Sequence, residues 1–154
     1  MKKNRHRKHG FLLLVVYLVL MTYFLFFAEE LGRNPGTRAE YSYNLTLFKE
    51  IRRFLVYRDV LGWRAVILNV FGNMVVFVPF GFILPEVWDQ LNHWYTITFM
   101  GFLFSLFVET TQLVSRVGCF DVDDLLLNTV GALVGYCLFV MAKGVWNQYC
   151  GTDR

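Results

Sequence analysis

Apolar positions in this chain come in long unbroken runs and do not alternate with polar ones. Four runs stand out, at residues 11–28, 65–84, 94–114 and 125–142. Each approaches the roughly 20 apolar residues that a helix needs to cross a hydrocarbon core of about 30 Å. Backbone groups in lipid must find their hydrogen bonds within the segment, so the runs predict helices and not strands. The expected architecture is all-α: an integral membrane bundle of four transmembrane helices, forming a single domain over residues 1–154. After the first run the pattern changes. Gly32-Arg33-Asn34-Pro35-Gly36 reads as a turn-rich linker. From about Leu45 to Val60, Leu47, Phe48, Ile51, Phe54, Leu55 and Tyr57 interleave with Lys49, Glu50, Arg52, Arg53, Arg58 and Asp59 at near-helical spacing. That pattern predicts a short amphipathic outer helix at the membrane interface, with its apolar face in lipid and its basic residues toward headgroups.

Two prolines punctuate the second run. Pro79 predicts a kink near Val75 to Pro79, because proline removes a backbone hydrogen bond and crowds the preceding turn. Pro85 is expected to end that helix. A short turn carrying Trp88 and Trp94 then makes spans two and three antiparallel neighbours. In the fourth run, Asp124, Asn128, Gly131 and Gly135 fall on one stripe, and Gly131 and Gly135 form a GxxxG pair that lets another helix approach closely.

Composition agrees with this picture: 56% of residues are hydrophobic, 18% are aromatic, and the mean hydropathy is +0.42. The lipid bilayer is therefore the expected partner, and no nucleic-acid partner is expected. Charge adds an orientation. Lys2, Lys3, Arg5, Arg7 and Lys8 precede the first run, as in a secretory signal, but bulky Phe26 occupies a position where cleavage before residue 29 would need a small residue. The run reads as an uncleaved anchor with the N-terminus in the cytoplasm. Residues 29–62 and 115–124 then lie outside, and the 85–93 turn and the C-terminal tail inside. Arg33, Arg38, Lys49, Arg52, Arg53 and Arg58 oppose this rule, so the orientation rests on the dense N-terminal cluster. Cys119, Cys137 and Cys150 lack metal-ligand or CxxC spacing, and Cys137 reads as a small packing residue.

Against this apolar background the polar residues carry the functional signal. Asn69 and Asn73 share a face of the second helix; Glu109, Gln112 and Arg116 follow one another on the third; Asp121, Asp124 and Asn128 do so at the head of the fourth. Alternating topology puts all of them on one side of the bilayer. At about 1.5 Å per residue, Asn73 lies roughly 12 Å and Glu109 roughly 9 Å from the corresponding helix ends, so their side chains can meet. Singly, each has a structural explanation: an interhelical bridge, a helix cap, or an ion pair to Arg64 or Arg116. Together they exceed what packing requires and predict a ligand pocket. Asp121, Asp123 and Asp124 are candidate oxygen ligands for a divalent cation such as Mg²⁺ or Ca²⁺. Glu109 or Asp124 could instead act as a general acid or base. Ser-His, Cys-His and phosphate-loop patterns are missing from the sequence.

The residues from Asn69-Val-Phe-Gly72-Asn73 through Pro79-Phe80-Gly81 to Pro85 resemble the central motif of the VanZ-like family. So do Glu109-Thr-Thr-Gln112 with Arg116, then Asp121-Val-Asp123-Asp124, and Asn128-Thr-Val-Gly131 with Gly135. Asn44-Leu45-x-x-Phe48-Lys49-x-Ile51 is similar to that family's outer-segment motif, with Leu47 where a proline is usual. The resemblance runs from about residue 44 to 135 and implies a small bacterial inner-membrane protein. The family takes its name from a member associated with resistance to the glycopeptide teicoplanin. One expectation is thus a binding protein whose outer pocket engages a cell-wall lipid precursor, a lipid headgroup or a lipoglycopeptide. The other is an intramembrane enzyme modifying an envelope lipid or glycan, using Glu109 or Asp124 with a divalent cation.

Overall fold

The computed structural model describes residues 2–26 and 41–150. In chain order the elements are α1 (Lys2–Phe26), β1 (Tyr43–Asn44), α2 (Lys49–Val56), α3 (Arg58–Leu61), α4 (Trp63–Val87), a 3-10 turn (Asp89–Leu91), α5 (Trp94–Ser115), β2 (Phe120–Asp121) and α6 (Val122–Cys150). Among the described residues three segments are long and apolar enough to cross a membrane: Val66–Val87, Trp94–Ser115 and Val122–Tyr149. The expected first span coincides with most of α1, but its last two residues, like the Gly32–Gly36 linker, lie outside the described residues.

One expectation about the long helices is corrected. Pro85 does not end its helix; α4 runs through Pro79 and Pro85 to Val87. The missing Pro85 N–H costs one helical bond, the one to the Gly81 carbonyl, but the Trp88 N–H still closes the last turn on the Leu84 carbonyl at 3.1 Å. Helices α4 and α5 touch across the short turn, but less than either touches α6. The most extensive packing of α4 is on α6, with α1 next, while α5 packs chiefly on α6. Glycine decides this choice. A Cβ at Gly131 would stand 2.1 Å from the Met74 carbonyl oxygen, one at Gly135 2.0 Å from that of Val78, and one at Gly81 1.8 Å from that of Ala132. Helices α4 and α6 therefore meet backbone to backbone, in parallel, and no short connection could have joined them. Cys137 is corrected as well. It is exposed on α6 and packs into no core.

The apolar core lies beside this seam. Phe77, Ile97 and Ala132 are fully buried, with Leu14, Met21, Phe80, Leu84 and Val108 around them. Phe80 and Phe104 stack at 4.9 Å between ring centroids, and the Tyr17 hydroxyl donates to the Val76 carbonyl at 3.0 Å, tying α1 to α4. Outside the core the helices expose long apolar faces, such as Leu68, Phe71 and Val75 on α4 and Phe99, Phe107 and Val114 on α5. The hydroxyls of Thr98, Thr111 and Thr129 each return to a carbonyl four residues back at 2.7 Å, which satisfies those donors within the helix.

The amphipathic stretch forms two short helices, not one, with the break at Tyr57. The two-residue strands β1 and β2 pair in parallel, Tyr43 with Phe120 and Asn44 with Asp121. This pairing brings the segment before α2 against the α5–α6 connection.

Candidate functional site

All the polar residues singled out in the sequence sit toward one end of the bundle, where α4 begins, α5 ends and α6 begins. The α5 terminus sets the geometry. Arg116 adopts a left-handed conformation at φ 55°, and the Val117 and Gly118 N–H groups fold back onto the Gln112 carbonyl at 3.2 and 3.4 Å. The chain then re-enters through β2, and acidic residues fill the first turn of α6, where the helix dipole favours negative charge.

Asp123 is the most buried of these acids, at 1% exposure. Its carboxylate accepts the backbone N–H groups of Phe48, of Glu50 at 2.9 Å and of Ile51 at 3.2 Å. One charged group thus satisfies the open donors at the start of α2. It also holds Phe48 in the left-handed region at φ 63°, a conformation that costs a non-glycine residue about 1–2 kcal/mol. The cap expected of Asp123 or Asp124 at α6 falls instead to Asp121, whose Oδ1 accepts the Asp123 N–H at 2.8 Å. The same oxygen accepts from Asn44 Nδ2 at 3.1 Å, and the Asp121 N–H donates to Glu109 Oε2 at 3.2 Å. Asp121 lies ahead of α6, outside the candidate spans. Burial pushes its pKa above the ordinary 3.8, the hydrogen bonds from Asp123 and Asn44 pull against that, and the charges of Asp123 and Glu50 push the same way as burial.

Above this network lies a cavity of about 390 Å³, within the roughly 300–1,000 Å³ typical of ligand pockets. Asn69, Gln112, Asp121 and Asp124 line it, so the sequence located half of its expected members. The others fall elsewhere. Asn73 donates to Asp124 Oδ1. Glu109 is buried behind Asp121, and Arg116 is exposed with its guanidinium 4.7 Å above the Tyr41 ring. Asn128 lies deeper, donating to Ser105 Oγ at 2.9 Å, with its Oδ1 buried and unpartnered.

The remaining wall comes from the segment around β1 and α2, through Ser42, Tyr43, Asn44, Lys49, Glu50, Arg53 and Phe54. Sequence reasoning gave that segment to the membrane interface and missed its part in the pocket. Ser105 was also missed, yet Gly101, Ser105, Glu109 and Gln112 fall on one face of α5 at spacings of four, four and three. That stripe of small and polar residues could have revealed it. Among the lining charges, Arg53 pairs with Glu50 at 2.9 Å. Lys49 is the other cation in the lining.

The donor set fits a divalent cation poorly. Both Asp123 oxygens are taken up by N–H donors, and Asp121 Oδ1 already accepts two. Among the described residues no group of three or more His, Cys, Asp or Glu side chains is placed to hold a metal ion.

Long apolar helices with their polar side chains gathered at one end define a helical-bundle membrane protein. A family model described as VanZ/LLP1 matches residues 14–143, and the chain belongs to that family. The match is broader than the motifs alone suggest, taking in much of α1 and most of α6. Protein VanZ of Enterococcus faecium is similar to the chain, 28% identical over 139 residues, which is 88% of this chain and 76% of that protein. No solved structure matches it.

Proposed function

We propose that this protein is a four-span, single-domain protein of the bacterial cytoplasmic membrane that lowers glycopeptide susceptibility by binding an envelope ligand in its polar pocket. The N- and C-termini face the cytoplasm and the pocket opens outward. Support for a fourth span comes from α1, which packs on α4 in the opposite sense: Arg7 near its start meets Val87 at the end of α4, and Tyr17 meets Val76. In this orientation α2 lies at the outer interface, where Lys49 and Arg53 reach headgroup level.

The observation that carries the reading is the pairing of a cation from α2 with carboxylates and amides from the bundle around one cavity. Lys49 suits a phosphate or carboxylate, while Asp121, Asp124, Asn69 and Gln112 suit amine, amide and hydroxyl groups. A cell-wall lipid precursor, a lipid headgroup or a lipoglycopeptide presents that combination. Binding is favoured over catalysis because Asp123, Asp121 and Glu109 accept backbone N–H groups, Asp124 accepts from Asn73, and the set fits a metal poorly.

The test is teicoplanin susceptibility in cells expressing the wild-type chain, Lys49→Gln or Asp124→Asn, with membrane levels matched by immunoblot. Wild type is expected to raise the inhibitory concentration and both variants to lose most of that increase. An inhibitory concentration that the wild-type chain does not raise would overturn the glycopeptide role. Full retention by both variants would overturn the pocket.

A further inference from the structure

At the opposite end of the bundle, α1 and the end of α4 enclose a second concavity of about 420 Å³, lined by Arg7, Lys8, Phe11, Val87 and Trp88. We propose that it binds the headgroup of an anionic phospholipid, with the phosphate on Arg7 and Lys8 and the first acyl segment over Phe11. This site is independent of the pocket described above and of its function.

Arg7 is held, not floating. Its Nε–H donates to the Val87 carbonyl at 3.2 Å, in the last turn of α4. That bond uses one of the five guanidinium donors. Lys8 is the adjacent residue and is exposed. No ion pair joins either cation to an acid among the described residues. The rest of the lining is apolar: Val87 is buried beneath the groove, Trp88 is half-buried, and Phe11 is 53% exposed. From Phe11 the outer face of α1 continues through Leu12, Val15, Val16 and Val19, all exposed.

Two cations, then aromatic rings, then a continuous apolar helix face reproduce the order of groups along a phospholipid. A free phosphate would use the cations and leave Phe11 and Trp88 without a role. A zwitterionic headgroup would bring its own cation against Arg7 and Lys8. A headgroup with net negative charge matches both parts of the site, and basic pockets between membrane helices are suited to such lipids.

Native mass spectrometry of the full chain, titrated with phosphatidylglycerol or phosphatidylcholine, tests this. Phosphatidylglycerol should bind at least about tenfold tighter. Lys8→Gln should weaken it about fivefold, and Arg7→Gln with Lys8→Gln about 25-fold. Neutralising Lys2, Lys3 and Arg5 to Gln supplies a control that removes more charge from the same terminus and should cost less than the double variant. Because Arg7 also braces α4, exposed Lys8 gives the reading that does not depend on folding. The proposal falls if phosphatidylglycerol shows no preference, if Lys8→Gln leaves its affinity unchanged, or if the control loses as much as the double variant. Displacement of the lipid by millimolar inorganic phosphate would overturn the assignment to a lipid.

Discussion

The α4–α6 seam and the polar end of the same helices are held together by opposite means. Along the seam, Gly81, Gly131 and Gly135 bring backbones so close that a single added carbon would overlap a carbonyl oxygen. At the polar end side chains join the elements: Asn73 to Asp124, Asp121 to Asn44, Asp123 to the start of α2. Shape holds the first region and charge-assisted hydrogen bonds the second. The difference has a physical origin. In lipid there is little hydrophobic force between helices, so close contact must supply the attraction. Near the membrane surface water competes for polar groups, and a cavity can be kept open by groups that satisfy one another.

The comparison breaks most visibly at Gly131. Replacing it with Val puts carbon where the Met74 carbonyl now stands, and neither backbone can yield without separating the helices. Overpacking of side chains costs about 1–3 kcal/mol, and a clash between two backbones exceeds that range. Loss of a monodisperse, helical species in detergent is the expected result. Gly72 has open space around its Cβ direction. The Gly72→Ala variant should therefore behave as wild type by the same elution and circular-dichroism measurements, and a loss equal to that of Gly131→Val would show that the seam is not special.

Asp123 comes next. Asp123→Ala leaves the Phe48, Glu50 and Ile51 donors without their acceptor, and unmade hydrogen bonds to a charged group of this sort cost about 2–4 kcal/mol in all. The loss should be local. The α2 segment should become labile to protease and to amide exchange while α4, α5 and α6 keep their protection. Asp123→Asn retains one acceptor oxygen and should fall between the two. If Asp123→Ala instead unfolded the whole bundle, the two regions would not be separable.

The two regions were unequally legible in the sequence. Helices α4, α5 and α6 announced themselves because apolar runs of that length have few alternatives in a protein, and the Gly131–Gly135 pair flagged a contact face. Its partner could not be read, since Gly81 is one glycine among twelve and only the fold shows which carbonyl it faces. At the polar end the sequence named the right neighbourhood from Asn69 to Asn128, because buried polar groups are costly wherever they occur. It misjudged individual jobs. Asp123 looked like a cation ligand because an acid's partners lie up to 75 residues away in the chain, as its bond to Phe48 does. The wall formed by Asn44 and Lys49 depended on a two-residue strand pairing, too short to leave any periodic trace.

Asp121 gives the smallest and most specific test. Its pKa is raised in the folded protein, chiefly by burial, so over the window between its ordinary 3.8 and the raised value the folded state holds more protons than the unfolded one. Stability then falls as pH rises through that window and levels off above it. Asp121→Asn keeps an oxygen for the Asp123 N–H and for Asn44, yet carries no titrating group. Detergent unfolding followed by helicity, at pH 7 and again near pH 4.5, should show wild type gaining on the Asp121→Asn variant as the medium is acidified. The gain should be smaller than the cost of either substitution above. The two proteins differ only at residue 121, so the difference between their curves reports the loss of that carboxyl. Wild type losing ground on acidification would mean that hydrogen bonding outweighs burial at this carboxylate, and the polar end would then be held by an ionised Asp121.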